Sequence, residues 1–410
     1  MSTSLLYHGF GIRGYDYRRT LYQERAVIFV IEQKRESLRC PCCGSGKVHK
    51  RGGKIRQFRI LPIGRKPAFV ELNVPRVSCL ECGVVRQVKV GFADTQRTYS
   101  RALARYVLEL RRLMTLKDVA RHLQVSQWMV RDIEKRHLKK HYGKPKLKWL
   151  SRIAIDQISV ASGHRYLTIV LDLDSGAVVF VGNGKKAEAL NPFWRRLKAS
   201  RAWIEAVAID MSPAYIAAVR ENLPMAALIF DRFHIVKLFH DRLSNFRREL
   251  YRETTDKLHK DVLKGTRWLL LKNPENLDEN KNERTRLDEA LELNASLATA
   301  YYLKEDLRQI WEQPNEQAAQ RFLKDWCGRA RASGIRFLKT FANTLHGHRS
   351  GVLNWYNYPI STGPLEGTNN KIKTLQRQAY GFRDQEYFQL KIYALHETVL
   401  VYRVRRHLNA

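Results

Sequence analysis

Two repeat lengths organise the chain. Apolar and polar residues alternate in Gln57-Phe58-Arg59-Ile60-Leu61 and in Ala68-Phe69-Val70-Glu71-Leu72-Asn73-Val74, the period of strands with one buried face. From Ser100 to Met114 the spacing changes: Leu103, Val107, Leu110 and Met114 recur every three or four residues, which marks one face of a helix. The next segment, Thr115 to Glu134, sets Val119, Ala120, Leu123, Val125, Val130 and Ile133 where a helix-turn-helix needs its interior, with Ala120 small at the helix crossing. Ser126 is suited to cap the second of these helices, because its hydroxyl can accept a free N–H of the first turn. That helix then presents Gln127, Trp128 and Arg131 outward, toward base edges or phosphates in a major groove. Gln124 occupies the turn position where glycine is common, and an ordinary helical hairpin is the alternative reading.

After a lysine-rich stretch from Lys139 to Lys148, interrupted by Gly143 and Pro145 and read as a basic linker, the pattern changes again at Leu150. Arg152–Asp156, Tyr166–Asp172 and Ala177–Val181 are short apolar strands joined by polar turns, an antiparallel meander. An amphipathic segment from Ala187 to Ser200 follows, then a strand over Ala206–Asp210, a helix over Pro213–Asn222 and a strand over Ala226–Asp231. Three strands followed by alternating helix and strand is the order of an α/β, ribonuclease-H-like domain. In that order the first and fourth strands lie side by side, so Asp156 and Asp210 converge at one sheet edge. A third carboxylate is needed from a later helix if two Mg²⁺ (or Mn²⁺) ions are to be held with room for a phosphate and water. Glu366, at the start of a helix after Ser361-Thr-Gly-Pro364, is the candidate.

Charge narrows the partners. Among 410 residues, 73 lysines and arginines face 40 acidic residues, a formal charge of +33 that sets the chain apart from ordinary metabolic enzymes and points to a nucleic acid. The 44% hydrophobic content suffices for two to four globular units. The longest apolar runs, Tyr166–Leu173 and Ala226–Phe230, are strand-sized, and the N-terminus lacks the features of a signal peptide. The expectation is a cytoplasmic, nucleoid-associated protein with no membrane partner.

Five of the six cysteines lie between Cys40 and Cys82. Cys40-Pro-Cys-Cys43-Gly44 and Cys79-Leu-Glu-Cys82-Gly83 each place two thiolates on one turn with a glycine behind them, so Cys40, Cys43, Cys79 and Cys82 are expected to hold one structural Zn²⁺, with a redox pair as the alternative. Cys42 is then a non-ligand, and Cys327 is read as a packed core thiol.

Taken together, Ile155-Asp156, Ile209-Asp210-Met-Ser-Pro-Ala-Tyr215, Phe230-Asp-Arg-Phe-His234, Gly363-Pro-Leu-Glu-Gly-Thr-Asn-Asn-Lys-Ile-Lys373 and Arg377-Gln-Ala-Tyr-Gly-Phe-Arg383 resemble the DDE transposases of bacterial insertion sequences, most closely the ISL-three group. The resemblance implies that Asp156, Asp210 and Glu366 bind the catalytic metals and that a helical insertion, about 240–355, separates the last strand from the glutamate. Gln157 stands where an acidic residue is expected. Asp231 and His234 are left with three possible roles: assisting at the site, holding a metal-bound water, or capping the next helix. Asn369, Asn370 and Lys373 share the face of Glu366 and are assigned to phosphate contacts with Arg377, the basic surface continuing through Arg383 and Lys391. Trp268, Trp311 and Trp326 are read as core residues before stacking partners of bases.

The expected layout is an N-terminal region with the zinc ribbon (1–95), a helix-turn-helix domain (96–141), a basic linker (142–150), a catalytic domain (151–400) and a basic tail (401–410). The expected activity is metal-dependent cleavage and transfer of DNA strands, with transposon ends and target DNA as partners and a homodimer or larger assembly on DNA. The competing readings are a DNA-binding regulator that has lost catalysis and a ribonuclease-H-like nuclease.

Overall fold

The computed structural model describes residues 3–23, 25–161 and 165–396. The basic tail expected at 401–410 lies outside the described residues. The chain forms two compact units, Met1–His141 and Tyr142–Ala410.

In the first unit, helix α1 (Thr3–Phe10) leads into strands β1 (Tyr15–Gln23), β2 (Ala26–Gln33), β3 (Val48–Arg59), β4 (Ala68–Cys79) and β5 (Val85–Gln87). They form one sheet in the order β1-β2-β4-β3, with β5 pairing β4; β2 runs parallel to β4 and the other pairs are antiparallel. The alternation around Phe58 and Val70 delivers what it promised, because Phe58, Val70, Leu72 and Val74 are almost wholly buried on one face. Phe29 and Ile31 of β2 join that core. The β1–β2 hairpin is an addition to the sequence reading, although the apolar run Ala26-Val-Ile-Phe-Val-Ile31 is a strand signal.

Three helices complete this unit: α2 (Arg101–Arg111), α3 (Leu116–Leu123) and α4 (Gln127–Tyr142). Ser100 and Thr115 cap α2 and α3 through their side chains, and Ser126 Oγ accepts the Met129 N–H at 3.1 Å. Val107, Val119, Leu123 and Val130 are buried together, each burial worth about 1.5–3 kcal/mol. Gln124 adopts the left-handed conformation (φ 51°) expected of a glycine, at a cost of about 1–2 kcal/mol. Helix α4 runs on to Tyr142, so Lys139 and Lys140 belong to the helix and not to the linker; buried Leu138 keeps this last part packed.

The second unit is built on β6 (Arg152–Ala161), β7 (Arg165–Asp172), β8 (Val178–Asn183), helix α5 (Asn191–Ser200), β9 (Ala206–Ile209), α6 (Pro213–Asn222) and β10 (Ala227–Phe230). The sheet order is β10-β9-β6-β7-β8, with β6, β7 and β8 antiparallel and both β9 and β10 parallel to the β6 direction. This is the mixed α/β arrangement expected of a ribonuclease-H-like sheet. Both faces are covered, which explains why the strands read as nearly continuous apolar runs. Odd-numbered Ile153, Ile155, Val207 and Ile209 enter one core, and even-numbered Ala154, Ile158, Ala208 with Ile229 enter the other.

Helices α7 (Arg232–Glu253), α8 (Lys257–Gly265), α9 (Glu283–Glu292), α10 (Ala295–Gln309), α11 (Glu316–Ala332), α12 (Arg336–Gly347) and α13 (Arg349–Leu353) follow β10. Trp326 and Trp311 are buried in their core, whereas Trp268 is 64% exposed under the Arg267 guanidinium, so the core reading of the three tryptophans holds for two. Cys327 is buried, as expected. Gly351 lets α13 press on the end of β10, since a Cβ there would lie 2.3 Å from the Phe230 ring. The chain then returns to the second sheet face as α14 (Gly363–Gln378) and α15 (Gln385–Tyr393), which bury Leu365, Ile372, Phe388 and Ile392 against it. Among the described residues, no helix is long and apolar enough to cross a membrane.

Candidate active site and zinc centre

The four cysteines expected to act together do converge. The sulfurs of Cys40, Cys43, Cys79 and Cys82 all lie within 4.8 Å of one another, with Cys40–Cys82 and Cys43–Cys79 each at 3.5 Å. A tetrahedral zinc with bonds of about 2.3 Å requires sulfurs about 3.8 Å apart, so the cluster fits that ion. Turns make this geometry: the Gly44 and Gly83 amides donate back to the Cys40 and Cys79 carbonyls at 3.0 and 3.1 Å, and both glycines have positive φ. The backbone N–H groups of Cys43 and Cys42 pull the Cys40 thiol down to about 6, while the neighbouring sulfurs push Cys43 and Cys82 up, so one thiolate forms readily and the crowded sulfurs resist the others. Cys42 is exposed and outside the cluster.

The carboxylates are arranged by strand register. Ala154 pairs with Ala208 and Ile209 with Phe230. Counting two residues on from the first pair sets Asp156 level with Asp210, and one residue on from the second sets Asp210 level with Asp231. Neighbouring strands lie about 4.8 Å apart, so the three aspartates form a row across the sheet, Asp210 and Asp231 just past the ends of β9 and β10 and Asp156 within β6. By alternation they share the face of Ala154, Ala208 and Ile229, which is the face that α14 covers. Asp156 does not close its strand, as had been expected; β6 continues to Ala161 because β7 still pairs with it after β9 has ended.

Helix α14 is fastened to this row at two points. Asn369 donates its side-chain amide to Asp156 Oδ2 at 2.9 Å, and the Thr362 N–H donates to Asp231 Oδ2 at 2.7 Å. Glu366 lies four residues after one anchor and three before the other, hence on the same helix face. It is exposed and sits in the first turn, where the helix dipole favours a carboxylate. The sequence reading had assigned Asn369 to phosphate contacts, but it is buried at 7% exposure and bound to Asp156. Its helix face is the one it shares with the sheet anchor, which spacing alone does not separate from the solvent face.

Asp156 and Asp210 are half-buried, and their electrostatics are linked. Burial pushes the Asp156 carboxyl up, as does the Asp210 charge, while the Gln157 N–H, His234 and the Asn369 amide pull it down. Asp210 accepts the Ser212 N–H at 3.1 Å. Among the described residues, no lysine or arginine pairs with Asp156, Asp210 or Glu366, in a chain with 73 such cations. Asn369 Oδ1 and His234 Nδ1 are buried without a hydrogen-bond partner. Carboxylates with no cationic partner, beside buried polar atoms that lack a hydrogen bond, suit a site for hard divalent cations. The three acids do not form a tight ligand group like the cysteines; four thiolates on one ion must crowd together, whereas a two-ion site spreads its carboxylates.

Asp231 is a cap. It is 3% exposed, Oδ1 accepts the Phe233 and His234 N–H groups at 2.7 and 3.3 Å, and Oδ2 is taken by Thr362. Of the three roles left open for it, helix capping is the one its hydrogen bonds support. Tyr215, to which no role had been given, hydrogen-bonds Thr168 at 2.9 Å; burial pushes its phenol up, and the charges of Asp210 and Asp156 add to that. Gln127, Trp128 and Arg131 are exposed on α4, with Ser126 exposed at its cap; Asn370, Lys373, Arg377 and Arg383 are exposed on or after α14, and Lys391 is partly covered.

The ISL3 family of DDE transposases, described as a transposase, matches residues 153–392. A zinc-finger family of the transposases IS204/IS1001/IS1096/IS1165 matches residues 36–82, which contain all four clustered cysteines. The transposase for insertion sequence element IS1001 of Bordetella parapertussis is 31% identical over 392 residues, 94% of this chain and 96% of that protein. The transposase for insertion sequence element IS1557 of Mycobacterium tuberculosis is 29% identical over 380 residues, 85% of this chain and 83% of that protein. Among solved structures, the Drosophila P element transposase strand transfer complex shows a faint likeness, with a TM-score of 0.32 and 13% identity over 65% of this chain and 80% of that one. The family match over more than half of the chain, and a relative alike over nearly all of it, establish that the chain belongs to the ISL3 family of insertion-sequence transposases.

Proposed function

We propose that this transposase cuts and joins DNA at the site formed by Asp156, Asp210 and Glu366, and that these carboxylates hold two Mg²⁺ or Mn²⁺ ions. The observation that carries the reading is the level pairing of Asp156 and Asp210 on adjacent strands, free of basic partners among the described residues, under a helix that presents Glu366 between two anchors. When bound, such ions supply an activated water and a stabilised leaving oxygen for phosphoryl transfer. Asn369 holds the Asp156 carboxylate in orientation, leaving its other oxygen to the Gln157 N–H and the site. His234, in the first turn of α7 with its Nδ1 buried and lacking a hydrogen bond, is the accessory group of the site. Lys373 and Arg377, exposed along α14, take the phosphates flanking the reacting one.

The remaining parts serve end recognition. Helices α2 to α4 act as a helix-turn-helix, with Gln127, Trp128 and Arg131 reading the groove and Ser126 capping the reading helix. The Cys40, Cys43, Cys79 and Cys82 cluster holds one structural Zn²⁺ that braces the ribbon between β3 and β4. Helices α8 to α13 form an insertion in a ribonuclease-H-like catalytic domain spanning 151–400, after a linker at 142–150. Two ends must be brought together before joining, so the working form on DNA is a dimer or larger.

The test is strand cleavage and joining on a duplex carrying the element's own end, with Mg²⁺ or Mn²⁺, for the intact chain and for Asp156→Ala, Asp210→Ala and Glu366→Ala. Variants that bind the end but neither cut nor join it support the assignment. An intact chain that binds and never cuts, or variants that retain full activity, would replace it.

A further inference from the structure

We propose that Asp231 is a positioning residue whose task is to set Glu366 against the Asp156–Asp210 edge, by holding the N-terminus of α14 through the Thr362 N–H. This deepens the catalytic reading above and rests on it.

The need for such a tether follows from chain connectivity. Asp156 and Asp210 are set beside each other by strand pairing alone, but Glu366 arrives after seven helices, and no strand register transmits its position. Asp231 and Thr362 are 131 residues apart in sequence and 2.7 Å apart in hydrogen-bond contact. Thr362 is itself buried and is the residue preceding the first turn of α14, with no side-chain cap of its own. Its N–H is held by Asp231, and its carbonyl accepts the Glu366 N–H at 2.9 Å. The path from Asp231 to the Glu366 backbone therefore consists of one residue. On its other oxygen Asp231 caps α7, so a single carboxylate fixes the start of the helix bearing His234 and the start of the helix bearing Glu366.

The chemistry of the group agrees. An acid that took a metal in each turnover would need to be open to the site, as half-buried Asp156 is even though both its oxygens accept hydrogen bonds; Asp231 is closed off by burial as well as by its backbone partners. Both Asp231 oxygens accept backbone N–H groups, the side chain is 3% exposed, and His234 Nδ1 stands 3.8 Å away, beyond a hydrogen bond. A carboxylate is suited to this because it accepts on two sides at once. Asparagine accepts on one, and serine can cap α7 but is too short to reach Thr362 as well.

Asp231→Ser and Asp231→Asn in the full-length chain separate the two duties. Three measurements suffice: hydrogen exchange over 362–366 and over the start of α7, Mn²⁺ binding followed by the electron paramagnetic resonance of the free ion, and end cleavage as a function of Mn²⁺. For Asp231→Ser the expected result is faster exchange at Thr362 and Glu366 with the first turn of α7 still protected. Half-saturating Mn²⁺ should rise about tenfold or more, as for other groups that orient metal ligands, with cleavage recovering as Mn²⁺ is raised. Asp231→Asn, which keeps one acceptor, covers the case in which the serine chain does not fold and should show the same shift in smaller measure. Unchanged exchange at 362–366, or lost cleavage with unchanged Mn²⁺ binding, overturns the proposal, the second because it means Asp231 acts on the reaction itself. Glu366→Gln run in parallel tells the two readings apart: if it cleaves normally the three-carboxylate assignment fails, while the exchange data still judge the tether.

Discussion

The two candidate metal centres of this chain gather their ligands in opposite ways. Cys40 with Cys43, and Cys79 with Cys82, are each supplied by one short turn, and a single strand pairing, β3 on β4, brings the turns together. Asp156, Asp210 and Glu366 come from three elements, and the last of them is delivered by a helix that must be fastened from outside, at Asp156 through Asn369 and at Asp231 through Thr362. The thiolates close on one point and leave no room for a substrate. The carboxylates stay apart and open. A closed site contributes its binding energy to folding, and an open one keeps positions for the reacting groups.

That contrast sets the order of the expected effects. Removing zinc with a chelator, or introducing Cys79→Ser, should cost the ribbon on the order of 10 kcal/mol of apparent metal-binding energy and melt residues 36–82, with circular dichroism and exchange showing the second unit intact. A ribbon that keeps its protection without metal would mean that the β1–β4 core, and not zinc, carries this unit. Asp210→Asn should act in the reverse sense, leaving thermal stability nearly as it is and lowering cleavage about a thousandfold, or about 4 kcal/mol in barrier. A thermal scan beside the cleavage assay separates a catalytic loss from an unfolded chain.

Smaller effects probe the parts that belong to neither metal. Arg131→Ala should weaken binding to the element's end by about 1–3 kcal/mol while leaving nonspecific duplex binding nearly equal, as read in gel-shift titrations. Equal losses on both DNAs would make it a phosphate contact only. His240 on α7 tests acid sensitivity in the helical part: burial, then Lys304 and Arg308, lowers it from 6.5 to about 4. A group depressed in the folded state stays neutral there while the unfolded chain takes up the proton, so its contribution to stability is present above about pH 6.5 and is lost as pH falls toward 4. Allowing for its partial exposure, His240→Leu should reduce the acid destabilisation of the second unit across that window by about 1–2 kcal/mol, measured by urea unfolding at several pH values.

Much of this could be read from the chain because the signals are local. The helix over Pro213–Asn222 was legible at both ends, with proline in its first turn, and the strands that end just before Asp210 and Asp231 were apolar runs closed by an acid. The paired Cys-x-x-Cys turns named the four cysteines that cluster and left Cys42 out. The β1–β2 hairpin was less legible because Ala26-Val-Ile-Phe-Val-Ile31 is a continuous apolar run, whose periodicity does not separate a buried strand from a piece of helix. The assignment of Asn369 went astray because i, i+3 and i, i+4 spacing tells which residues share a face and not what that face meets.

By itself, then, the sequence determined the strands and helices from Gln57 to Asp231 in their order and the convergence of four cysteines, and it nominated Asp156, Asp210 and Glu366, since each of these depends on residue type and on spacing within one or two turns. Only the tertiary structure decided which of the neighbouring polar groups serve them. Asn369 became a partner of Asp156 and Asp231 a cap and a tether because α14 folds back across more than a hundred residues onto one sheet face, and contacts over that distance are set by packing of the whole unit, not by any local pattern.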